Sequence, residues 1–242
     1  MAEVFVLALG DWLERDVSPY LPYASAERRE SAARFRHASD RSRSLWAELF
    51  ARHRLSEAAG VSFSEIEITH DEKGKPFWKG GSLSVSLSHS GSYIAVAVGR
   101  EDVGVDVEKK RKAALAVAKR WFRPEENALL ETLSEPERTR LFFRLWTMKE
   151  AALKYAGEGL SGGLETVDCL ALIEATRNGG DDALAGRSFA LDGDATVGVV
   201  TRRGELPTAA RLFTIEAGEQ GVYGDAYFSE RAAILPTEET ER

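Results

Sequence analysis

The chain of 242 residues has a single cysteine, Cys169. One cysteine excludes an internal disulfide and any metal cluster built from several thiolates, and it fits a reducing compartment. No apolar run approaches the roughly 20 residues of a membrane-spanning helix. The short apolar run at 4–9 lies between two acids and lacks the basic start of a signal peptide. We therefore expect a cytoplasmic protein that is not bound to a membrane.

Positive charge is also scarce, because 32 lysines and arginines face 39 aspartates and glutamates, a formal net charge of −7. This balance disfavours a nucleic-acid binder held by phosphate contacts. Hydrophobic residues at 43% and charged residues at 29% are typical of a globular protein with a proper core. One basic segment stands out and holds Arg28, Arg29, Arg34, Arg36, Arg41, Arg43, Arg52 and Arg54. It is either a solvated helical face or part of a site for a small phosphorylated ligand.

Hydrophobic periodicity predicts the order strand, helices, strands twice along the chain. In the first part we predict a strand at 4–9, a loop with Pro19 and Pro22, a helix at 24–59 that Gly60 ends, and strands at 63–69, 83–88 and 93–98. In the second part we predict a strand at 103–108, helices at 124–133 and 136–156 that Gly157 and Gly159 end, and strands at 164–173, 188–191, 196–201, 210–217 and 223–228.

The repeated order predicts an α+β fold, a chain of two similar α/β halves. Leu45-Trp46 and Leu145-Trp146 occupy matching places in the two long helices, which supports a duplication. We assign residues 1–102 to the first half and 103–236 to the second. The charged tail at 237–242 has no apolar anchor and is predicted to be disordered.

Two acids, Asp106 and Glu108, lie two positions apart in the strand sequence GVDVE at 104–108. Both side chains then point to one face of the strand while the valines point to the other. Paired carboxylates repel each other unless a divalent cation lies between them, and oxygen ligands suit Mg²⁺. The pair is therefore either a metal site or two solvated acids at the surface.

A second motif, WTMKEAALK at 146–154, lies on the second long helix. Trp146, Glu150 and Lys154 recur every four residues and share one helical stripe, with Lys149 one position to the side. The simplest interpretation is a core tryptophan beside an exposed ion pair between Glu150 and Lys154, worth a few tenths of a kcal/mol. The alternative is that acid and lysine serve the same site as the paired acids.

A polar strand end, SLSHSG at 86–91, places His89 between hydroxyls that suit phosphate oxygens, although a lone histidine is more often structural. The sequence contains no phosphate-binding loop of the P-loop type, no nucleophile elbow and no dinucleotide-binding glycine motif. The usual signatures of P-loop kinases, serine hydrolases and Rossmann enzymes are thus missing.

Together, GVDVE and WTMKEAALK, about forty residues apart, resemble the two signature motifs of the Sfp-type phosphopantetheinyl transferases. Gly74-Lys75-Pro76 and Ser88-His89-Ser90 resemble that family's coenzyme A-binding segments. The resemblance covers residues 25–172. It implies a monomeric pseudo-dimer with coenzyme A and Mg²⁺ in the cleft between two α/β halves, and transfer of 4'-phosphopantetheine to a serine of an apo acyl or peptidyl carrier protein with release of 3',5'-ADP.

The resemblance also implies residue roles. Asp106, Glu108 and Glu150 are the implied Mg²⁺ ligands, Glu150 the base for the carrier serine, and Lys154 the cation that faces the pyrophosphate. The implied coenzyme A-binding residues are Arg28, Arg43, Lys75, Pro76, Ser88, His89, Lys149 and Lys154. Glu126 resembles a further family acid, and Ser31 stands where the family commonly has a second basic residue.

Two other functions stay open at this stage. One is a catalytically inactive relative that only binds carrier domains or coenzyme A. Loss of one of the acids or of Lys154 would indicate such a protein, and all of these residues are present. The other is a Mg²⁺-dependent hydrolase of nucleotide diphosphates, which needs more acids along one helix. The sequence leaves open whether the carrier belongs to fatty-acid, polyketide or nonribosomal-peptide synthesis.

Overall fold

A computed structural model describes residues 1–158, 163–191, 193–219 and 221–237, and it confirms the mixed α+β class. The described strands are β1 (Glu3–Ala8), β2 (Ile68–His70), β3 (Pro76–Trp78), β4 (Ser84–Ser90), β5 (Tyr93–Gly99), β6 (Gly104–Lys109), β7 (Leu184–Leu191), β8 (Ala195–Arg202), β9 (Ala210–Ala217) and β10 (Ala226–Ile234). The described α-helices are α1 (Ala26–Arg34), α2 (Ala38–Ala59), α3 (Leu115–Trp121), α4 (Pro124–Thr132), α5 (Glu135–Ala156) and α6 (Cys169–Asn178).

The strands form two main sheets and a hairpin. The first sheet has the order β10-β9-β1-β5-β4, the second has the order β6-β8-β7, and β2 pairs with β3. In the first sheet β1 runs parallel to β9 and antiparallel to β5. The strands β9 and β10 thus return from the second part of the sequence to complete the first sheet. The division near residue 102 stays a prediction about sequence ranges, since in space two strands of the second part belong to the sheet of the first.

The two halves nevertheless share a plan. Each packs a helix of 22 residues on its sheet, α2 in the first and α5 in the second. Each helix ends at a glycine with φ of 67°, Gly60 or Gly157, as predicted. Between the two sheets lies a core of small and branched side chains that joins Val4, Val6, Ala95 and Ala97 to Val105, Val107, Val197 and Val199. This shared core fixes β4 of the first half beside β6 of the second.

Two glycines let α5 approach the second sheet closely. A Cβ atom on Gly104 would lie 1.9 Å from the carbonyl oxygen of Ala151, and one on Gly198 would lie 2.6 Å from the carbonyl carbon of Thr147. Gly104 also shares its strand face with Asp106 and Glu108 because side chains alternate along a strand. The close approach at Gly104 therefore places both acids against α5.

We predict that Gly104→Ala destabilises the protein by at least about 1–3 kcal/mol, because backbone rather than a flexible side chain blocks the new methyl group. Urea unfolding followed by circular dichroism measures this change. Gly180→Ala is the matched control, since Gly180 has no atom within 4 Å of the added Cβ. Equal unfolding midpoints for the two variants would contradict the proposed close packing.

The predicted helix at 24–59 is wrong, because the structure has two helices, α1 and α2, separated by extended backbone at Phe35 and His37. Neither glycine nor proline marks this break. The Phe35 carbonyl accepts from Arg41, which stabilises the turn by a contact that periodicity does not reveal. The break folds α1 back onto α2 and brings Arg28 to Glu48.

Four other predicted elements need correction. Residues 63–69 form a 3₁₀ turn and the short strand β2, because the Glu65 carboxylate accepts from the Ser62 backbone N–H. Residues 164–173 form a 3₁₀ turn and the start of α6, because Asp168 caps that helix by accepting from Ala171. The last strand begins at Ala226 rather than at residue 223, after a turn with Gly224 at φ of 70°. The loop with two prolines is a 3₁₀ helix, Ser18–Tyr23.

Three further expectations concern single residues or the chain ends. Cys169 is a buried core residue as expected, although it lies on α6 and not on a strand. In the tail that we predict to be disordered, Thr237 donates to the Ser188 carbonyl at 3.0 Å, and residues 238–242 lie outside the described residues, as does Gly159. No helix in the described ranges is long and apolar enough to cross a bilayer.

Candidate active site

The paired acids of β6 lie at the junction of the two halves, opposite β4. Asp106 is 5% exposed, and its Oδ1 accepts from the Ser88 hydroxyl at 2.6 Å. Glu108 is half-buried and accepts from the Ser90 hydroxyl at 2.8 Å. Strand alternation therefore directs both carboxylates into the cleft, as the sequence predicts, and hydroxyls from the other half hold them there.

The helix α5 contributes a cation and a third acid to this cluster. The Lys154 ammonium donates to Asp106 Oδ1 at 2.8 Å. Its ion-pair partner is thus the strand acid and not Glu150, so the simple i,i+4 pair on the helix surface is not the arrangement found. The two sequence motifs, one on α5 and one on β6, thus contact each other through Lys154 and Asp106.

Burial and a neighbouring carboxylate raise the pKa of two of the acids, Glu150 and Glu108. Burial, together with the charges of Asp106 and Glu108, raises the pKa of Glu150 to about 7, against the opposing effect of Lys154. The pKa of Glu108 is also raised, mainly by burial and in part by Asp106, against the hydrogen bond from Ser90. Three acids thus share a region in which extra positive charge is favourable.

The cluster fits a divalent cation chemically. Asp106 Oδ2 is buried and has no hydrogen-bond partner in the described part of the chain, so an oxygen ligand is left unsatisfied. Within those same residues, no group of three or more His, Cys, Asp or Glu side chains is drawn together as a preformed metal site. Mg²⁺ is commonly held by one or two carboxylates together with waters and substrate phosphates. An incomplete set of carboxylate ligands is therefore compatible with Mg²⁺ that arrives with a phosphate ligand.

A cavity of about 480 Å³ opens beside the acids. Its walls are α1 and α2, the hairpin β2-β3, the end of β4 and the side chain of Lys154. The polar or charged residues and tight-turn residues that line it include Arg28, Ser31, Ser44, Glu48, His70, Gly74, Pro76, Ser88, His89 and Lys154. The cavity thus borders the acid cluster through Ser88 and Lys154, which both donate to Asp106, and it also takes in Arg28 of the first half.

Arg28 is the guanidinium that the structure places in this cavity from the basic segment. Its Nε lies 3.1 Å from Glu48 Oε2, and its Nη1 donates to Ser44 at 2.8 Å. Glu48 is buried and also accepts from the backbone N–H of Ser25 at 2.7 Å. This fixed scaffold holds Arg28 in place while leaving part of its guanidinium fork for a ligand.

Several other arginines of the segment have structural partners instead. Arg52 donates to the carbonyls of Tyr23, Phe63 and Ile66, and Arg54 is buried over the ring of Phe213. Arg52 and Arg54 therefore stabilise the packing of α2 and do not line the cavity.

His89 lines the cavity, and Arg43 lies behind it. Desolvation, then the charge of Arg43, and to a lesser degree Lys154 and Arg28, lower the pKa of His89. The imidazole is therefore neutral at neutral pH, with one donor nitrogen and one acceptor nitrogen. Arg43 itself donates to Asp40 and to the Gly91 carbonyl. Arg43 therefore influences the site mainly through its positive charge, because its guanidinium group already donates to other residues.

The turn residues Lys75 and Pro76 take different positions. Pro76 lines the main cavity. The Lys75 ammonium donates to Asp102 at 2.8 Å and to the Tyr155 carbonyl at 2.9 Å, and it borders a smaller adjoining cavity of about 160 Å³. Lys75 therefore links the turn to α5 of the second half and lies at the edge of the main cavity.

Lys149 corrects one prediction, since its position excludes direct contact with a ligand in the cavity. Its ammonium is fully buried, 2.8 Å from Glu126 Oε2, and donates to the carbonyls of Leu164 and Val167. All three donors of the ammonium are thus used. Glu126 is also fully buried and accepts from the backbone of Cys169 and Arg123. The pair holds α4, α5 and α6 together and lies outside the cavity.

The cavity-lining residues that the sequence analysis missed include Ser44, Glu48 and His70. Ser44, Glu48 and Arg52 recur every four residues along α2, which otherwise presents apolar side chains to the core. That polar stripe was a detectable signal. His70 lies on the short strand β2, and no spacing in the sequence links it to the other site residues.

Comparisons with known proteins identify the family of the chain. Residues 102–186 match the model of the 4'-phosphopantetheinyl transferase superfamily, and residues 14–101 match that of the 4'-phosphopantetheinyl transferase N-terminal region. A 4'-phosphopantetheinyl transferase of Bacillus subtilis is 36% identical over 138 residues, which are 57% of this chain and 62% of the relative. The chain thus spans less than two thirds of that relative's length.

Two further relatives are covered more fully. The 4'-phosphopantetheinyl transferase Sfp of Bacillus subtilis (strain 168) is 32% identical over 158 residues, which are 63% of this chain and 70% of the relative. A putative 4'-phosphopantetheinyl transferase of Synechocystis is 34% identical over 166 residues, which are 64% of this chain and 68% of the relative. The resemblance inferred from the motifs is confirmed, and the chain belongs to the 4'-phosphopantetheinyl transferase superfamily.

Proposed function

We propose that the protein transfers the 4'-phosphopantetheine group of coenzyme A to a serine of an apo acyl or peptidyl carrier protein and releases 3',5'-ADP. The observation that carries this proposal is the contact of Lys154 with the buried Asp106 beside a cavity that Lys154 lines together with Arg28 and His89. A ligand with a diphosphate and a separate phosphate matches a cavity lined by two cations, Lys154 and Arg28, and by the hydrogen-bonding imidazole of His89.

In this proposal Arg28 and His89 bind the 3'-phosphate end of coenzyme A, with Arg43 adding charge and Pro76 shaping the wall. Lys154 faces the diphosphate and stabilises the charge that develops on the departing 3',5'-ADP. Asp106, Glu108 and Glu150 would hold Mg²⁺, which neutralises charge on the diphosphate when bound.

Glu150 is the proposed base for the carrier serine. A pKa of about 7 suits a group that must accept a proton near neutral pH. The serine oxygen forms a bond to the phosphorus next to pantetheine, and the bond from that phosphorus to 3',5'-ADP breaks. The serine proton moves to Glu150, directly or through a water molecule.

Release of 3',5'-ADP with and without an apo carrier protein separates this function from its alternatives. A transferase releases it only when the carrier is present. An inactive carrier-binding relative releases none under either condition, and a hydrolase of nucleotide diphosphates releases product without the carrier. Either of the last two results would overturn the proposed transfer.

We predict that Arg28→Ala and His89→Ala raise the KM for coenzyme A about tenfold or more and change the KM for dephospho-coenzyme A far less. A hydrogen bond to a charged group contributes about 1.5–3 kcal/mol, and a substrate without the 3'-phosphate has no such bond to lose. Steady-state kinetics on both substrates measure the difference. Arg34→Ala is the control, because Arg34 is 81% exposed and lies apart from the cavity. Equal losses on the two substrates would assign Arg28 and His89 to structure.

A further inference from the structure

A row of serine hydroxyls, at Ser86, Ser88 and Ser90 on β4, bridges the two halves. These residues alternate along β4 and share one strand face. The strand β6, which carries the acids, belongs to the other sheet and does not pair with β4 through backbone bonds. Side-chain hydroxyls make the connection instead, so β4 reaches the acids without being their sheet neighbour.

The three hydroxyls have different partners. Ser86 Oγ accepts from the backbone N–H of Val105 at 3.0 Å and contacts no carboxylate. Ser88 Oγ donates to Asp106 Oδ1 at 2.6 Å, where Lys154 also donates. Ser90 Oγ accepts from the backbone N–H of Lys109 at 3.1 Å and donates to Glu108 Oε2 at 2.8 Å. Ser90 thus binds the backbone of β6 and also donates to the Glu108 carboxylate on the same strand.

The double contact of Ser90 fixes the direction of its proton. A hydroxyl has one donor and two acceptor positions. Because the Lys109 N–H occupies an acceptor position, the Ser90 hydrogen is free to serve the Glu108 carboxylate, which has no lysine contact such as that of Asp106. The charge of Asp106 repels Glu108, those of Arg111 and Lys154 attract it, and Ser90 holds its carboxylate by a direct hydrogen bond.

We propose that Ser90 is a positioning residue that holds Glu108 in place for Mg²⁺, whereas Ser86 only joins the two halves. The proposal rests on the proposed function in taking Mg²⁺ as the ion of this site. Partners behind a metal ligand commonly change metal affinity or activity by about 10–100-fold when they are removed. Ser90 does not itself line the main cavity, and the proposed metal ligand that its hydroxyl binds is Glu108.

The test uses the full chain with the variants Ser90→Ala, Ser90→Thr and Ser86→Ala. The first readout is the rise of the melting temperature with Mg²⁺ alone, without coenzyme A. The second is the Mg²⁺ concentration at half-maximal turnover, set against the KM for coenzyme A. Ser86→Ala is the matched control because it removes a bridge between the same two strands without touching an acid.

For Ser90→Ala we expect the Mg²⁺ concentration at half-saturation to rise about tenfold or more in both readouts, while the KM for coenzyme A changes less than twofold. Ser90→Thr, which keeps the hydroxyl, restores most of the Mg²⁺ response. For Ser86→Ala we expect a lower melting temperature and a half-saturating Mg²⁺ concentration within twofold of the unchanged protein.

Three results would overturn the positioning role: an unchanged Mg²⁺ response in Ser90→Ala, equal losses in Ser90→Ala and Ser86→Ala, or no Mg²⁺-dependent melting shift in the unchanged protein. The melting readout needs no carrier and no transfer. If the unchanged protein binds Mg²⁺ and Ser90→Ala weakens that binding while no carrier is modified, the proposed transfer fails and the role of Ser90 stands.

Discussion

Glu150→Gln is expected to leave a folded protein whose turnover on an apo carrier protein falls by about 10²-fold or more. The change removes a proposed Mg²⁺ ligand and the proposed base at once, and loss of one preorganised catalytic group already has an effect of this order. Turnover at saturating coenzyme A and Mg²⁺ measures the loss. Glu135→Gln on the same helix is the control, because Glu135 is 61% exposed and pairs only with Arg138 at the helix start.

The same variant has a stability signature in metal-free protein. The folded-state pKa of Glu150, about 7, lies above its ordinary value of 4.5. The folded state therefore binds more protons between these two values, and Glu150 lowers the free energy of unfolding as the pH rises from about 4.5 to 7. Glutamine removes this effect. We expect Glu150→Gln to gain stability relative to the unchanged protein at pH 8 and not at pH 4.

Lys154→Met extends this prediction to the cation. It should lower turnover by about 10²-fold while coenzyme A still binds, since Arg28 and His89 remain. It also leaves the buried Asp106 without its ion-pair partner, so some loss of stability accompanies it. Well-folded Glu150→Gln and Lys154→Met proteins with turnover within threefold of the unchanged protein would contradict a catalytic role for both residues.

Lys149→Met is expected to destabilise the protein by about 3–5 kcal/mol, the largest stability effect that we predict. The change leaves the fully buried Glu126 carboxylate without its ammonium partner and leaves the carbonyls of Leu164 and Val167 without their donor. Urea unfolding measures the change. The double variant Lys149→Met with Glu126→Gln should recover part of the loss because the buried charge is then gone.

The activity of Lys149→Met distinguishes the structural role from the predicted ligand role. At a temperature where the variant is folded, we expect its KM for coenzyme A to stay within about twofold of the unchanged protein, since the ammonium uses all its donors inside the protein. A destabilisation below about 1 kcal/mol, or a large rise in this KM alone, would contradict the buried-pair role.

Much of the fold followed from local sequence patterns. The two long helices with their terminal glycines and the strand GVDVE were predictable, because period and capping residues are local signals. The break between α1 and α2 was not, since Phe35 to His37 contain no residue that commonly interrupts a helix. The helix α6 was mistaken for a strand because its apolar pattern is short and its cap, Asp168, was overlooked.

The site was predictable in part. Alternation placed Asp106 and Glu108 on one face, and the four-residue spacing placed Glu150 and Lys154 on one stripe, but neither pattern shows which strand lies opposite. The bridge from Ser90 to Glu108 and the burial of Lys149 depend on contacts between segments distant in sequence. Spacing on α5 cannot distinguish a lysine that faces the cleft from one that faces α4 and α6.

Mass spectrometry of an apo carrier protein after incubation with this protein, coenzyme A and Mg²⁺ tests the central claim most directly. We predict that the carrier gains one phosphopantetheine on its acceptor serine, with one 3',5'-ADP released for each carrier. Both products should form about 10²-fold more slowly with the Glu150→Gln protein, and neither should form with a carrier whose acceptor serine is replaced by alanine. An unmodified carrier in each of the fatty-acid, polyketide and nonribosomal-peptide classes, or release of 3',5'-ADP without a carrier, would contradict the account.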